Sequence, residues 1–319
     1  MVKIAVAGGT GSVAREIIEV LAATKKHDIL VLSRKSRASD NRESGNVSYA
    51  TTDYSSVVDL ASLLRGCDTV LSFVAPYTDQ SEAALAQKHL IDASIKAGVR
   101  RFAPSEWASA RFDHLPWYSY KGQTRQYLEE VNKDSRVLEY CLFQPGLFTN
   151  YLTHPHRSAT YLAAIETPFD FGNRRMIVCD GGEDQKCTFT TVRDLANVVA
   201  MAIEYAGDWP VEGGIKGSDL SIKQLITLGE KLRGPFEVTK IEAKLLQAGD
   251  CNSPWLPKVK HPSIPPDAVD FASKSVTAGL LSAIDAGAFQ SNDAWNGLLP
   301  DYKFKDAEGF LEKAWSGKP

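Results

Sequence analysis

The chain has 319 residues, enough for one large or two fused domains around a sizeable core. With 44% hydrophobic residues, 24% charged residues and a net charge of −3, its composition excludes bulk electrostatic capture of nucleic acid. No apolar run approaches the ~20 residues of a membrane span. Five widely spaced cysteines without a C-x-x-C pair point to reduced thiols.

Residues 2–7 are small, apolar and β-branched and predict a buried strand of a parallel sheet, leaving no room ahead of it for a leader peptide. Gly8, Gly9 and Gly11 follow, and from Val13 to Ala23 apolar residues recur at helical spacing. Strand, glycine turn and helix N-terminus together present free N–H groups and the positive helix end to an anion. The G-x-x-G-x-x-A spacing suits a dinucleotide diphosphate. Gly8 permits the tight turn, Gly11 the close approach and Ala14 the packing of helix on strand, with Thr10, Ser12 and Val13 in the contact. Residues 27–32 predict a second strand, which runs into Arg34, Lys35 and Arg37. An acid at that strand end would accept from the 2′-hydroxyl of NAD. Cations favour the 2′-phosphate, so NADP(H) is expected, with Arg34 the main contact and Lys35 and Arg37 as helpers.

Residues 47–50 predict a third strand, followed by Asp53 where an adenine would lie. Residues 60–64 read as helix and 68–75 as a fourth strand. Its end, with Val74, Ala75 and Pro76, should run beside the cofactor, because ligands of open α/β sheets lie outside the carboxyl ends of the strands. A helix over 79–97 stops at Gly98, a C-cap signal, and 99–103 make a fifth strand. This alternation predicts an α/β fold, a Rossmann-type doubly wound parallel sheet with right-handed crossovers.

The segment Arg101-Phe102-Ala103-Pro104-Ser105-Glu106-Trp107 resembles the R-F-x-P-S-E-F segment of the isoflavone-reductase-like, or NmrA-like, atypical short-chain dehydrogenase/reductases. The Gly8 to Ala14 turn, Arg34, Gln87 and the run from Thr191 to Ala196 also fit, and the likeness extends to about residue 205. The resemblance implies that Lys121, early in a helix after Pro116, lies beside the nicotinamide and serves as general acid or base. Desolvation would bring its pKa toward working pH. Four residues before Lys121 stands Trp117, not the tyrosine of a Y-x-x-x-K pair, so lysine-only chemistry is expected, with Tyr118 or Tyr120 as alternative proton donors. Glu106 orients Lys121, acts as an acid or base itself, or fixes its loop. Ser105 reads first as a loop-stabilising hydroxyl and is counted with the cofactor contacts. A sixth strand over 137–144 leads to Gly146, Leu147 and Phe148, which the resemblance places along the nicotinamide, Phe148 against the ring. Many relatives carry asparagine where Gly146 falls.

In the second half, His154-Pro155-His156 lacks a third ligand, and no metal is expected. Residues 176–179 read as strand, 191–205 as helix, 210–214 as strand, 221–232 as a helix capped by Ser221, 236–241 as strand and 266–290 as mostly helix. The proline-rich run around Trp255 is a loop over the substrate cleft or a surface connection. The expected organisation is an NADP-binding domain of residues 1–152 and 176–206 with a smaller α+β substrate-binding domain of 153–175 and 207–319. Trp107, Trp117, Phe148 and Trp255 are the candidate pocket lining.

These readings combine into a cytoplasmic NADPH-dependent reductase. Its substrate is expected to be small, largely apolar and aromatic, from specialised metabolism. The protein would act as a monomer or homodimer, without nucleic-acid or membrane partners. Two alternatives stay open: an enzyme that retains NADP while Lys121 and Glu106 catalyse a non-redox condensation or isomerisation, and an NADP-sensing regulator without catalysis.

Overall fold

The computed structural model describes residues 1–34, 45–76, 79–260 and 264–318, and it divides into two compact units. The first comprises Met1–Trp107, Trp117–Phe143 and Leu195–Gly213, and the second Ala108–Pro116, Gln144–Asp194 and Gly214–Pro319. These boundaries differ from the expected ones, and residues 108–116 are the first to do so, falling in the second unit. Residues 144–152 and 176–194 fall in the second unit, because Leu147–Phe148 and Lys186–Thr190 pair with each other and not with the large sheet. Residues 207–213 fall in the first, where the Gly207 carbonyl accepts from Arg101 (2.6 Å) and the Trp209 N–H donates to Glu139 (2.6 Å).

The first unit alternates strand and helix: β1 (Lys3–Ala7), α1 (Ser12–Thr24), β2 (Asp28–Ser33), β3 (Val47–Thr51), α2 (Val57–Leu63), β4 (Thr69–Ser72), α3 (Gln80–Ala97), β5 (Arg101–Ala103), α4 (Ser119–Val131) and β6 (Glu139–Tyr140). The sheet order is β3-β2-β1-β4-β5-β6 and every pairing is parallel. This is the Rossmann order, in which the direction of winding reverses between β1 and β4 and opens a crevice at their carboxyl ends. Strand β1 is central and covered on both faces, so Ile4, Ala5, Val6 and Ala7 are fully buried. That burial is why its sequence is continuously apolar and does not alternate. Leu30, Leu32, Leu60, Val70, Leu90, Ile91, Phe102 and Leu128 join the same core.

Helix α3 is capped at both ends, at its C-terminus by the expected Gly98. Asp79 accepts from the Ser81 N–H, and Gly98 closes the C-terminus in the left-handed region. Strand β4 is shorter than expected. It pairs with β1 only until Ala7 faces Ser72, and residues 73–76 then leave the sheet. The expected strand over 137–144 is split into β6 and Leu142–Gln144.

One charged pair sits inside this unit. Arg101 is 1% exposed, and its Nε lies 3.1 Å from Glu139. Its remaining N–H groups donate to the carbonyls of Tyr205 and Gly207. Arg136 reaches the same carboxylate from the surface at 3.0 Å.

The second unit is of α+β type. One sheet orders Ser218–Ser221, Lys186–Thr190 and Leu147–Phe148, and another Glu237–Ile241, Arg175–Cys179 and Phe169–Asp170. Ser221 and Gln224 form a reciprocal capping box at the start of helix Ile222–Arg233. Helix Val269–Asp285 occupies most of the stretch read as helical, and helices Ala243–Gln247, Ala294–Leu298 and Ala307–Trp315 were not foreseen.

Candidate active site

The glycine turn lies at the crevice beside β1 and β4. Gly8 has φ +70°, and a Cβ there would come within 2.9 Å of the Phe73 backbone carbonyl. Replacement by alanine combines a left-handed penalty with a backbone clash, and Gly8→Ala is expected to lower stability by about 2–4 kcal/mol, read from urea denaturation. A Cβ at Gly11 would meet only the Gly8 oxygen, at 3.4 Å, so that position faces outward. Gly11 is also the N-cap of α1. It has no side chain to cap with, and the first turn holds no acidic residue. The helix start at Ser12, Val13 and Ala14 is therefore open to an external anion. Thr10, Gly11 and Ser12 are exposed, Val13 is half-buried and Ala14 is packed inside.

Tyr54, which sequence reasoning did not single out, braces this turn. Its hydroxyl accepts from the Gly8 N–H (2.8 Å) and donates to the Leu32 carbonyl (2.9 Å), and its φ is +65°. Burial pushes its pKa up to about 12. No sequence pattern announces such a residue; only the fold brings Tyr54, Gly8 and Leu32 together.

A hollow of about 210 Å³ opens alongside, lined by Arg34, Asp53, Tyr54, Val74, Ala75 and Pro76 on the strand ends and by His89 on α3. The cofactor candidates Arg34, Asp53, Val74, Ala75 and Pro76 thus share one cavity. Arg34 is exposed just after β2, while Lys35 and Arg37 lie outside the described residues. Asp53 accepts from both the N–H and the hydroxyl of Ser55, which hold its carboxyl below the usual range. Gln87 is fully buried. Its Nε2 donates to the Val74 carbonyl (2.9 Å), and its Oε1 has no partner among the described residues.

The chain leaves β5 at the same edge of the sheet, and Ser105 and Glu106 follow directly. Lys121, third residue of α4, is 4% exposed, and its Nζ donates to the backbone carbonyl of Glu106 at 2.6 Å. The ammonium also sits 3.7 Å from the centre of the Tyr118 ring. Burial pulls its pKa down to about 8, the Glu106 carboxylate opposing and Arg125 assisting. The Glu106 carboxylate itself is held bidentately by Arg125, at 3.0 and 2.6 Å. The Lys121 contact thus comes from the Glu106 backbone, while the Glu106 side chain is tied to Arg125. Arg125 was overlooked, although its place one turn after Lys121 puts both on one helix face.

Burial pushes the Tyr118 hydroxyl up to about 12, and Tyr120 is raised by the same cause. Ser105 is buried beside the Tyr120 phenol.

Trp107 departs from the expected pocket lining. It is 7% exposed, stacked between Phe73 (4.3 Å) and Phe143 (5.4 Å), with its indole N–H on the Ser72 carbonyl. It is a core residue of the first unit, because both ring faces and the N–H are already occupied. Trp117 is half-buried, edge-on to Tyr118, and its carbonyl accepts from Gln80.

In the second unit, Gly146 has φ +73°, and a Cβ there would lie 2.8 Å from the Thr188 backbone carbon. That contact leaves no room for any side chain at 146. Leu147 pairs with Phe189, and Phe148 is 5% exposed with its ring edge-to-face with Tyr151. Trp255 carries the Arg175 guanidinium 4.0 Å from its ring centre. Among the described residues no three His, Cys, Asp or Glu side chains group as a metal site, and no helix is long and apolar enough to cross a membrane.

Known proteins resemble this chain at two levels. Oxidoreductase BOA1 of Botryotinia fuckeliana is 30% identical over 238 residues, 73% of this chain and 77% of that protein. Oxidoreductase swnN of Metarhizium robertsii is 24% identical over all of this chain and 98% of its own length. In fold, the chain matches AtPrR2, solved with NADP+ and (+)pinoresinol, with a TM-score of 0.68 at 18% identity over 98% of each chain. It also matches the NADPH-dependent quinone oxidoreductase QOR2 of Escherichia coli, with a TM-score of 0.64 at 19% identity over 98% of this chain and 100% of that one. The NmrA-like family matches residues 2–248, and the chain belongs to that family.

Proposed function

We propose that this protein is an NADP(H)-dependent reductase of small, largely apolar substrates in which Lys121 handles the proton. The observation that carries the reading is the placing of a buried, low-pKa ammonium on the same sheet edge as an uncapped glycine turn. Two fungal relatives named oxidoreductases support it. The turn, the open start of α1, the Arg34 cation and the unpartnered Gln87 Oε1 suit a phosphorylated dinucleotide. Bound NADPH supplies a hydride from its nicotinamide ring.

The chain's own part is to orient and protonate. The Glu106 carbonyl points Nζ, the Tyr118 ring covers one side of it, and Nζ delivers its proton to the substrate atom on which negative charge develops. A buried lysine with a depressed pKa favours catalysis over a purely sensing role. An aromatic substrate from specialised metabolism and a cytoplasmic monomer or homodimer complete the proposal. The five buried, unbridged cysteines suit a reducing compartment.

The test is label transfer from 4,4-dideuterated NADPH to a panel of aromatic enones and benzylic ethers, in which the transferred hydrogen ends on carbon. Deuterium in a product supports reduction, whereas product formed without label transfer overturns it. Arg34 gives a second check. Arg34→Ala is expected to weaken NADPH binding by about 1.5–3 kcal/mol, roughly 10- to 150-fold, and to leave NADH binding almost unchanged. Fluorescence quenching with both nucleotides measures this.

A further inference from the structure

The hollow at the ends of β2, β3 and β4 has an edge made of hydrogen-bond acceptors. Two backbone donors after β3 are used internally, the Tyr54 N–H on Thr52 Oγ1 (3.1 Å) and the Ser55 N–H on Asp53 Oδ1 (2.9 Å). The Ser55 hydroxyl donates to that same oxygen at 2.6 Å. The carboxylates of Asp53, Asp79 and Glu82 and the imidazole of His89 also line the hollow. Arg34 is the cation of the lining, and its place after β2 assigns it to the ribose phosphate.

The tautomer of the neutral His89 ring follows from its partner. Nδ1 lies 2.9 Å from the Tyr54 carbonyl oxygen. A carbonyl only accepts, so in the neutral ring Nδ1 carries the hydrogen and Nε2 keeps its lone pair. Nε2 has no partner among the described residues. Tyr54 cannot swing away to release this tautomer. It is buried, its φ is +65°, and its hydroxyl is tied to Gly8 and Leu32.

We propose that His89 is a specificity-determining residue that accepts from the 6-amino group of a purine, so that the protein selects an adenine dinucleotide over its 6-oxo counterpart. Adenine offers N–H donors at C6. Hypoxanthine offers a carbonyl, which faces the Nε2 lone pair acceptor to acceptor. A site built to receive an N–H discriminates against the analogue lacking it, because its own polar group is left unpaired. The inference rests on the NADP(H) reading given above.

The experiment titrates the full chain with NADPH and with its hypoxanthine analogue, deamino-NADPH, following fluorescence quenching, for the wild type, His89→Leu and His89→Gln. The wild type is expected to bind NADPH about 10-fold more tightly than the analogue. In His89→Leu the two affinities should converge, mainly through weaker NADPH binding. His89→Gln, whose Oε1 can stand in for Nε2, should keep part of the preference, and it carries the test should the leucine variant not fold. Equal affinities in the wild type, or an undiminished preference in both variants, overturn the role of His89. Failure of both dinucleotides to bind overturns the NADP(H) reading and this inference with it, an outcome distinct from tight but equal binding.

Discussion

Lys121→Met is expected to lower kcat by about 10²- to 10⁴-fold, far more than it weakens NADPH binding, because it removes the proton donor and leaves the glycine turn intact. Steady-state turnover on a substrate from the labelled-hydride screen measures the first quantity and nucleotide titration the second. The pH profile carries the sharper version. Nζ titrates near pH 8, having been pulled down from the ordinary lysine value by burial. Below that pH the ammonium is intact and can donate. Above it the protonated fraction falls tenfold per pH unit, and kcat for reduction should fall with it. In the oxidative direction the free amine is the base, so the dependence reverses, rising toward pH 8 and levelling beyond. Lys121→Arg, which cannot deprotonate, should abolish the limb near pH 8. Wild-type turnover that is flat from pH 6 to 10 would rule out Lys121 as the proton donor.

Glu139→Leu is expected to destabilise the first unit by about 3–5 kcal/mol, as a fall in the urea midpoint. The carboxylate is the counter-charge of Arg101, which is 1% exposed and cannot recover hydration when left unpaired. The Trp209 N–H loses its acceptor in the same variant. Two further variants separate charge from packing. Arg136→Ala breaks a pair whose arginine is half exposed and should cost under about 1 kcal/mol. Arg101→Met in the Glu139→Leu background should regain part of the loss, since a buried pair replaced by apolar side chains no longer strands a charge. If Glu139→Leu unfolds at the wild-type denaturant concentration, the pair is not supporting the unit.

The parts of the molecule that were legible in the sequence are those whose physics is local. Continuous apolar runs announce strands buried on both faces, and β1 and β2 follow them to within a residue. Gly98 ends α3 and Ser221 starts its helix as expected, because caps act within a single turn. The hollow was legible in outline, since Arg34, Asp53 and residues 74–76 follow successive strands of one parallel sheet. What was not legible depends on distant partners. Lys186–Thr190 alternates over only five residues, with threonine at two of them, and it becomes a strand by pairing with Ser218–Ser221. Trp107 reads like a pocket wall until Phe73 and Phe143 close on its two faces. Tyr54 and His89 are 35 positions apart, and nothing in either neighbourhood signals that one fixes the tautomer of the other.

The backbone contact at Gly146 also bears on which sequences this fold accepts. The carbonyl of Thr188 occupies the space where any side chain at 146 would begin. No residue with a side chain fits at 146 while the Lys186–Thr190 strand stays in place. Single-codon scans at 146 should accordingly return glycine alone.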